Sequence, residues 1–402
     1  MKYVVLAVLA VMLAACQKSY EHKTVVCIPV YGQSLALGEE ATRITDFDSL
    51  ANYAHGRIVT ENLDHNYGYF DNDELRLMVK KVVHYQKRAF ELSLYSMAMM
   101  LADNTGEDTL ICIFAGGQGT TPLSQLGKGT EPYETFLNNI RAAHDEAQER
   151  GWDFVLPALC WMQGETDVVD YAGDEYQWRL LQFYRDISHD IRQITGQEQD
   201  VEVINYQTNC VTRADRFDPL NYECPEVTVP QVLLELARDH PKFHASGPMY
   251  PYNFVREAIH IDGEGQMAHG RLVGRTALKL LRHDDEPTGL MPMEVQGHDS
   301  VVTVSFVVPQ LPLVVDTTQV AKAEHYGFSV ITPDHRDIAK EVTINGYEVS
   351  ILCSETADNC KVRYAVNGEQ GKSGRLHGPR GNLRDGAGNW CWQFETRLKV
   401  ED

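Results

Sequence analysis

Three loops of this chain combine glycine, glutamine and a hydroxyl or carboxyl group, and each follows an apolar run. Tyr31-Gly32-Gln33-Ser34 follows residues 24–30, Gly117-Gln118-Gly119-Thr120-Thr121 follows 109–114, and Met162-Gln163-Gly164-Glu165 ends the run 154–161. A fourth loop carries Arg256-Glu257-Ala258-Ile259-His260. Serine is a nucleophile type and histidine a base type. Glycine-rich loops bring backbone N–H groups close to a ligand, and a glutamine side chain adds an amide donor. A nucleophile, a base and oxyanion donors are the parts that acyl transfer needs. No Cys/His cluster has zinc-ligand spacing, and no Walker or dinucleotide glycine motif occurs.

The elements that must position these loops are legible from periodicity. Residues 24–30, 109–114, 154–161 and 201–206 are short apolar runs, the pattern of strands buried on both faces. Residues 89–101, 132–150, 176–194, 229–237 and 266–282 space their apolar side chains as helices do. Alternation of the two predicts an α/β fold, a doubly wound and mostly parallel sheet over residues 24–288, whose loops converge at one sheet edge. Residues 39–80 show no clear period and predict a long irregular insertion. From residue 289 the pattern changes to short strands with hairpin signals at Asn345-Gly346 and Asn367-Gly368, predicting a small accessory all-β domain over 289–402.

The start of the chain reads as processing signal rather than fold. A basic start, an apolar run over residues 4–13 and Leu13-Ala14-Ala15-Cys16 resemble a bacterial lipobox. This predicts a signal peptide over 1–15, lipidation at Cys16, a polar tether over 16–23, and an outer-membrane lipoprotein attached only through its lipid. The membrane face is open. Of the remaining cysteines, Cys353 with Cys360 and Cys210 with Cys224 are spaced so that they could pair, whereas Cys27, Cys112 and Cys160 read as buried thiols. The formal net charge of −21 disfavours nucleic acid and anionic lipid as partners.

Taken together, the four loops resemble the SGNH hydrolases, and within them the sialate O-acetylesterase-like carbohydrate esterases. Gly32-Gln33-Ser34 is similar to the first family block, with Gln33 where many relatives have aspartate. Gly117-Gln118-Gly119-Thr120-Thr121 is similar to a Gly-Gly-Thr loop interrupted by Gln118, and Trp161-Met162-Gln163-Gly164-Glu165-Thr166-Asp167 matches the third block. His260-Ile261-Asp262-Gly263-Glu264-Gly265-Gln266 is similar to the last. The resemblance implies Ser34 as nucleophile and His260 as general base. It implies an oxyanion hole from the Ser34 amide, an amide near Gly119 and Thr120, and the Gln163 side chain. Gln33 would belong to the substrate-binding loop, and Glu165 would buttress the Gln163 loop. No metal or organic cofactor is needed for such chemistry. The orienting acid stays open: Glu257 stands where relatives carry aspartate three residues before the histidine, with a Ser–His dyad or Asp262 as alternatives.

The expected activity is removal of small acyl groups from an acylated carbohydrate. A lipid esterase or thioesterase of the same fold, and a non-catalytic glycan-binding lipoprotein, are the competing readings; protein partners are not legible. The lipobox carries its own test. Cys16→Ser should abolish membrane fractionation and leave esterase activity in the soluble extract, because acyl chains supply the attachment; a mutant that still pellets with membranes contradicts the lipobox.

Overall fold

Proline shapes the central sheet. The computed structural model describes residues 21–65, 90–169, 173–209 and 228–398. Three strand positions in it are each broken in the middle. They are β1 (Thr24–Cys27) with β2 (Val30–Gly32), β4 (Thr109–Cys112) with β5 (Ala115–Gly117), and β6 (Asp153–Val155) with β7 (Ala158–Met162). Pro29 and Pro157 lie in two of the gaps, where a residue without an N–H cannot continue the ladder. Ile28 N–H, Val30 N–H and Cys160 N–H bridge the break to the carbonyls of Cys112, Phe114 and Pro29 at 3.0, 3.0 and 2.9 Å. Short β3 (Ile58–Val59), β8 (Glu202–Gln207) and β9 (Phe243–Pro248) complete the sheet. The order is β3-β4-β1-β6 in one half and β5-β2-β7-β8-β9 in the other, and every pairing is parallel. The first strand therefore has later strands on both sides, which makes its C-terminal end a topological switch point.

Both faces of the sheet are covered. Val25, Cys27 and Tyr31 point into one apolar cluster, and Val26, Ile28 and Val30 into the other. On the first face lie α3 (Glu131–Glu149), α5 (Gly173–Thr195) and α6 (Thr228–Asp239), through Phe136, Ile140, Phe183, Ile187 and Leu233. On the second lie α2 (Ser93–Asn104) and α7 (Gly263–Leu281), through Leu94, Met97, Leu101, Val273 and Ala277. Gly270 lets these two helices approach closely, since a Cβ there would lie 2.0 Å from Ser93 O. The region expected to be irregular contains, as far as residue 65, helix α1 (Phe47–Asn52) and edge strand β3; the rest of it lies outside the described residues. Short α4 (Glu165–Val169) follows β7.

The C-terminal strands form an antiparallel sheet in the order β10 (Met291–His298), β11 (Val301–Val307), β15 (Glu348–Cys353), β14 (Ala339–Asn345). A second group holds β13 (Phe328–Ile331), β16 (Lys361–Tyr364) and β18 (Phe394–Arg397), and β12 (Val314–Val315) pairs with β17 (Leu383–Arg384). Asn345-Gly346 makes the expected hairpin, with Gly346 at φ 65°. Asn367-Gly368 does not: β16 pairs with β13 and β18, and Gly368 instead packs against the backbone of Gly378. Cys353 and Cys360 are both buried free thiols, so the pairing considered for them is absent. Cys16, Cys210 and Cys224 lie outside the described residues.

These strands share the apolar cluster of α6 and β9. Tyr250 Oη donates to Cys391 O at 2.8 Å, and Gln207 exchanges two hydrogen bonds with the Gln393 backbone at 2.8 and 2.7 Å. The tail thus closes one end of the α/β layers.

A polar network runs through the second face. Gln266 Nε2 donates to Leu35 O at 3.0 Å, beside the Ser34 loop, and Gln266 Oε1 accepts from Ser93 N at 3.0 Å. The ring nitrogens of buried His269 lie 2.9 Å from the hydroxyls of Ser93 and Ser246. Burial without a carboxylate partner pushes His269 down to about 3. The unfolded chain protonates this histidine near its ordinary value of about 6.5, so between that pH and about 3 the unfolded state binds the extra proton. Its contribution to stability is complete above the upper value and is lost as pH falls, at up to about 1.4 kcal/mol per pH unit. Urea unfolding of His269→Gln, which keeps a donor and an acceptor, should be less pH-dependent between pH ~7 and ~5; an unchanged dependence contradicts the assignment.

Candidate active site

The site begins where the ends of β2, β5 and β7 touch. A Cβ at Gly32 would lie 2.0 Å from Met162 O, and one at Gly117, itself at φ 109°, would lie 1.9 Å from Gly32 O. Only glycine permits these contacts. Gln33 N–H donates to Met162 O at 3.0 Å and Gln118 N–H to Gly32 O at 3.1 Å, so both neighbouring loops are tied to the first strand. The chain then turns tightly: Gly38 N–H returns to Leu35 O at 3.2 Å, Glu39 N–H to Ser34 O at 3.0 Å, and Ala41 N–H to Gly38 O at 3.0 Å. Ser34 sits at the head of this turn with 3% of its surface exposed. The N–H groups of Ser34 and Gly119 donate to no acceptor among the described residues.

His260 lies on a closed loop. Val255 N–H donates to His260 O at 2.7 Å and Asp262 N–H to Asn253 O at 3.1 Å. Asp262 caps α7, accepting from Gly265 N at 2.8 Å, and is committed to the helix start. The group on His260 Nδ1 is Glu40 Oε2, at 2.8 Å, and Arg256 pairs with Glu40 Oε1. Partial burial pushes the Glu40 carboxyl up, but the hydrogen bond and charge of His260, with those of Arg256, outweigh it and hold Glu40 below its ordinary value.

The expected orienting acid, Glu257, is not at His260. Its carboxylate is bound by Lys372 Nζ at 3.0 Å and by His377 Nδ1. The reason is local: Arg256 and Glu257 both adopt left-handed backbone, φ 56° and 52°, in the turn over Val255–Glu257. That turn aims Arg256 at Glu40 and Glu257 at the tail. Glu40 was missed because it belongs to no motif. The signal that could have found it is a carboxylate following Gly38 on the same short turn as Ser34.

Gln163 is placed at the site but is not a free donor. Its Nε2 donates to Thr121 O at 3.3 Å and to Asp167 Oδ2, while Tyr176 Oη donates to its Oε1 at 2.9 Å. Both amide hydrogens are used, so the expected oxyanion role does not fit this arrangement; Gln163 ties α4 to the Gly119 loop. Gln33 Oε1 accepts from Gly164 N and Thr166 N at 3.5 and 3.4 Å, and its Nε2 carries no hydrogen bond among the described residues. Glu165 is buried and accepts from Tyr206 Oη; burial raises its carboxyl above the ordinary value against the pull of that hydroxyl. Glu39 lies beside Gly119, whose Cβ would fall 2.3 Å from Glu39 Oε1, and burial raises it too, against the charge of His260. Thr120 is exposed at the rim with φ 55°. Among the described residues, no group of histidine, cysteine and carboxylate side chains is arranged to hold a metal.

Residues 72–233 match the family model of carbohydrate esterases described as sialic acid-specific acetylesterase. The structure is similar to that of XAC1771, a carbohydrate acetylesterase from Xanthomonas citri, at 14% identity and a TM-score of 0.63, over 93% of this chain and 80% of that one. A protein from Arabidopsis thaliana (12% identity, 64% and 99% coverage) and NanS (12%, 66% and 98%) are also matched, but at a TM-score of 0.44 neither carries weight. No curated protein sequence matches the chain. The chain thus carries, over residues 72–233, a match to the sialic acid-specific acetylesterase model of carbohydrate esterases, on an α/β fold similar to that of a carbohydrate acetylesterase.

Proposed function

We propose that this protein is a serine esterase that removes O-acetyl groups from a glycan through an acyl-Ser34 intermediate. The observation that carries the reading is the 2.8 Å bond between His260 Nδ1 and Glu40, which fixes the imidazole on the loop facing the strand ends. With Nδ1–H donated to Glu40, Nε2 is the basic nitrogen. Nε2 takes the Ser34 hydroxyl proton as Oγ attacks the ester carbonyl carbon. The oxyanion that forms is met by the unpartnered N–H groups of Ser34 and Gly119, each donor contributing on the order of 3 kcal/mol. Collapse expels the sugar hydroxyl, reprotonated by His260, and leaves acetyl on Ser34. Water deprotonated by His260 then releases acetate.

A carbohydrate rather than a lipid is supported by the polar residues Gln118 and Thr120 at the rim, which offer hydrogen bonds. The lipobox at Leu13-Ala14-Ala15-Cys16 supports a lipid-anchored enzyme acting on glycans that reach the outer membrane.

Acetate release from acetylated sialosides, xylan and pectin tests the substrate class, and Ser34→Ala should abolish it on every substrate. Retained release by Ser34→Ala sinks the mechanism. Glu40→Gln should lower kcat by about 10²- to 10⁴-fold on 4-nitrophenyl acetate with little change in KM, as expected for loss of the group that fixes the imidazole tautomer; near-normal turnover removes Glu40 from its role. Gln163→Ala should act mainly on stability, by about 1–3 kcal/mol, because it removes the buried hydrogen bonds of its side chain to Asp167, Thr121 O and the Tyr176 hydroxyl. A rate loss without destabilisation restores it as an oxyanion donor.

A further inference from the structure

We propose that the C-terminal unit holds the catalytic histidine loop in place: Glu257, gripped by Lys372 and His377, is a positioning residue for the Glu40–His260 pair. This rests on the reading of Ser34, His260 and Glu40 given above.

The grip consists of consecutive contacts from residues 372–377, between β16 and β17. Ser373 N–H donates to Glu257 O at 2.9 Å, and Arg375 N–H donates to Tyr252 O at 3.1 Å. Gly374 lies against Phe254 so closely that a Cβ would fall 2.8 Å from the ring. Lys372 Nζ and His377 Nδ1 take the two oxygens of the Glu257 carboxylate. The segment has its own ordered form, with Glu369 N–H on His377 O at 2.8 Å and Gly378 N–H on Gly374 O at 3.1 Å. It therefore meets the histidine loop as a shaped surface.

The other side of the same loop reaches the reacting groups. Arg256, the neighbour of Glu257, pairs with Glu40, and Glu40 holds His260 Nδ1. Arg256 and Glu257 both sit in the left-handed region, which side-chain-bearing residues leave unless surrounding contacts hold them. Freed from Lys372 and His377, the pair would relax toward ordinary backbone, and the guanidinium would swing off Glu40. The acid then loses one partner, and the imidazole loses its fixed orientation. The change falls on the imidazole and its acid, so the expected effect is on turnover.

The test uses the full-length protein with 4-nitrophenyl acetate. Glu257→Gln should lower kcat about tenfold or more, with KM within about twofold, the size expected for a misaligned base. Lys372→Gln combined with His377→Asn should reproduce that loss from the tail side, and Glu257→Asp should recover part of it. Adding Glu257→Gln to the tail double variant should cost little more, since all three groups form one unit. Wild-type kcat in Glu257→Gln or in the tail double variant overturns the inference, as does a fully multiplicative loss when they are combined. Where one variant is thermally unstable, the other decides. If Ser34→Ala and Glu40→Gln retain full activity, the underlying mechanism fails instead, and the two failures are distinguished in one set of assays.

Discussion

The constraint on which this structure depends is steric. At the C-terminal ends of β2, β5 and β7 the backbones are so close that neither Gly32 nor Gly117 could carry a methyl group. The contact is a consequence of a parallel sheet that keeps its register across a proline break: three strand positions are interrupted at the same level and resume together. Because the strand ends cannot separate, the loops leaving them start from fixed points. Ser34 begins its turn with Gln33 N–H already fixed to Met162 O, and the Gly119 loop starts with Gln118 N–H fixed to Gly32 O. The N–H groups of Ser34 and Gly119 are left without an acceptor among the described residues.

Much of this was legible because it depends on composition and period. The strands entering the site are apolar and β-branched, and strands buried on both faces must be so. The helices show their 3.6-residue spacing, and Ser34 and His260 announce themselves by type. Strand β9 was not legible, because Phe243-His244-Ala245-Ser246-Gly247-Pro248 lacks strand composition and is held by β8 on one side and α7 on another. The orienting acid was illegible for a different reason. Spacing to His260 favoured Glu257, but two consecutive left-handed residues reverse the direction of the chain there, and spacing says nothing of φ. Gln163 resembled a free donor because its acceptors, Asp167 and Thr121 O, are supplied by α4 and by another loop.

Three carboxyls lie within electrostatic reach of His260, and burial divides them. Glu39 and Glu165 are raised by desolvation, while Glu40, partly exposed and paired with His260 and Arg256, is lowered. In the mechanism proposed above, the one carboxylate at Nδ1 stabilises the imidazolium. Arg256 draws off part of the Glu40 charge. The carboxyls around His260 are thus balanced by burial on Glu39 and Glu165 and by Arg256 on Glu40.

That balance rests on strained backbone. Glu40, Thr120, Arg256 and Glu257 all have positive φ, at 64°, 55°, 56° and 52°. Such residues cost on the order of 1–3 kcal/mol each and persist only where surrounding contacts over-determine them. For Glu40 the contacts are the closed turn from Ser34 to Ala41 and the pair with His260. For Thr120 they include Thr121 O, fixed by Gln163. Arg256 is held by Glu40, and Glu257 by its N–H on Phe254 O at 3.0 Å and, from the tail, by Lys372, Ser373 and His377. The sheet edge fixes the turn that carries Ser34, and the loop that carries His260 is contacted from its other side by residues 372–377, a second packed unit.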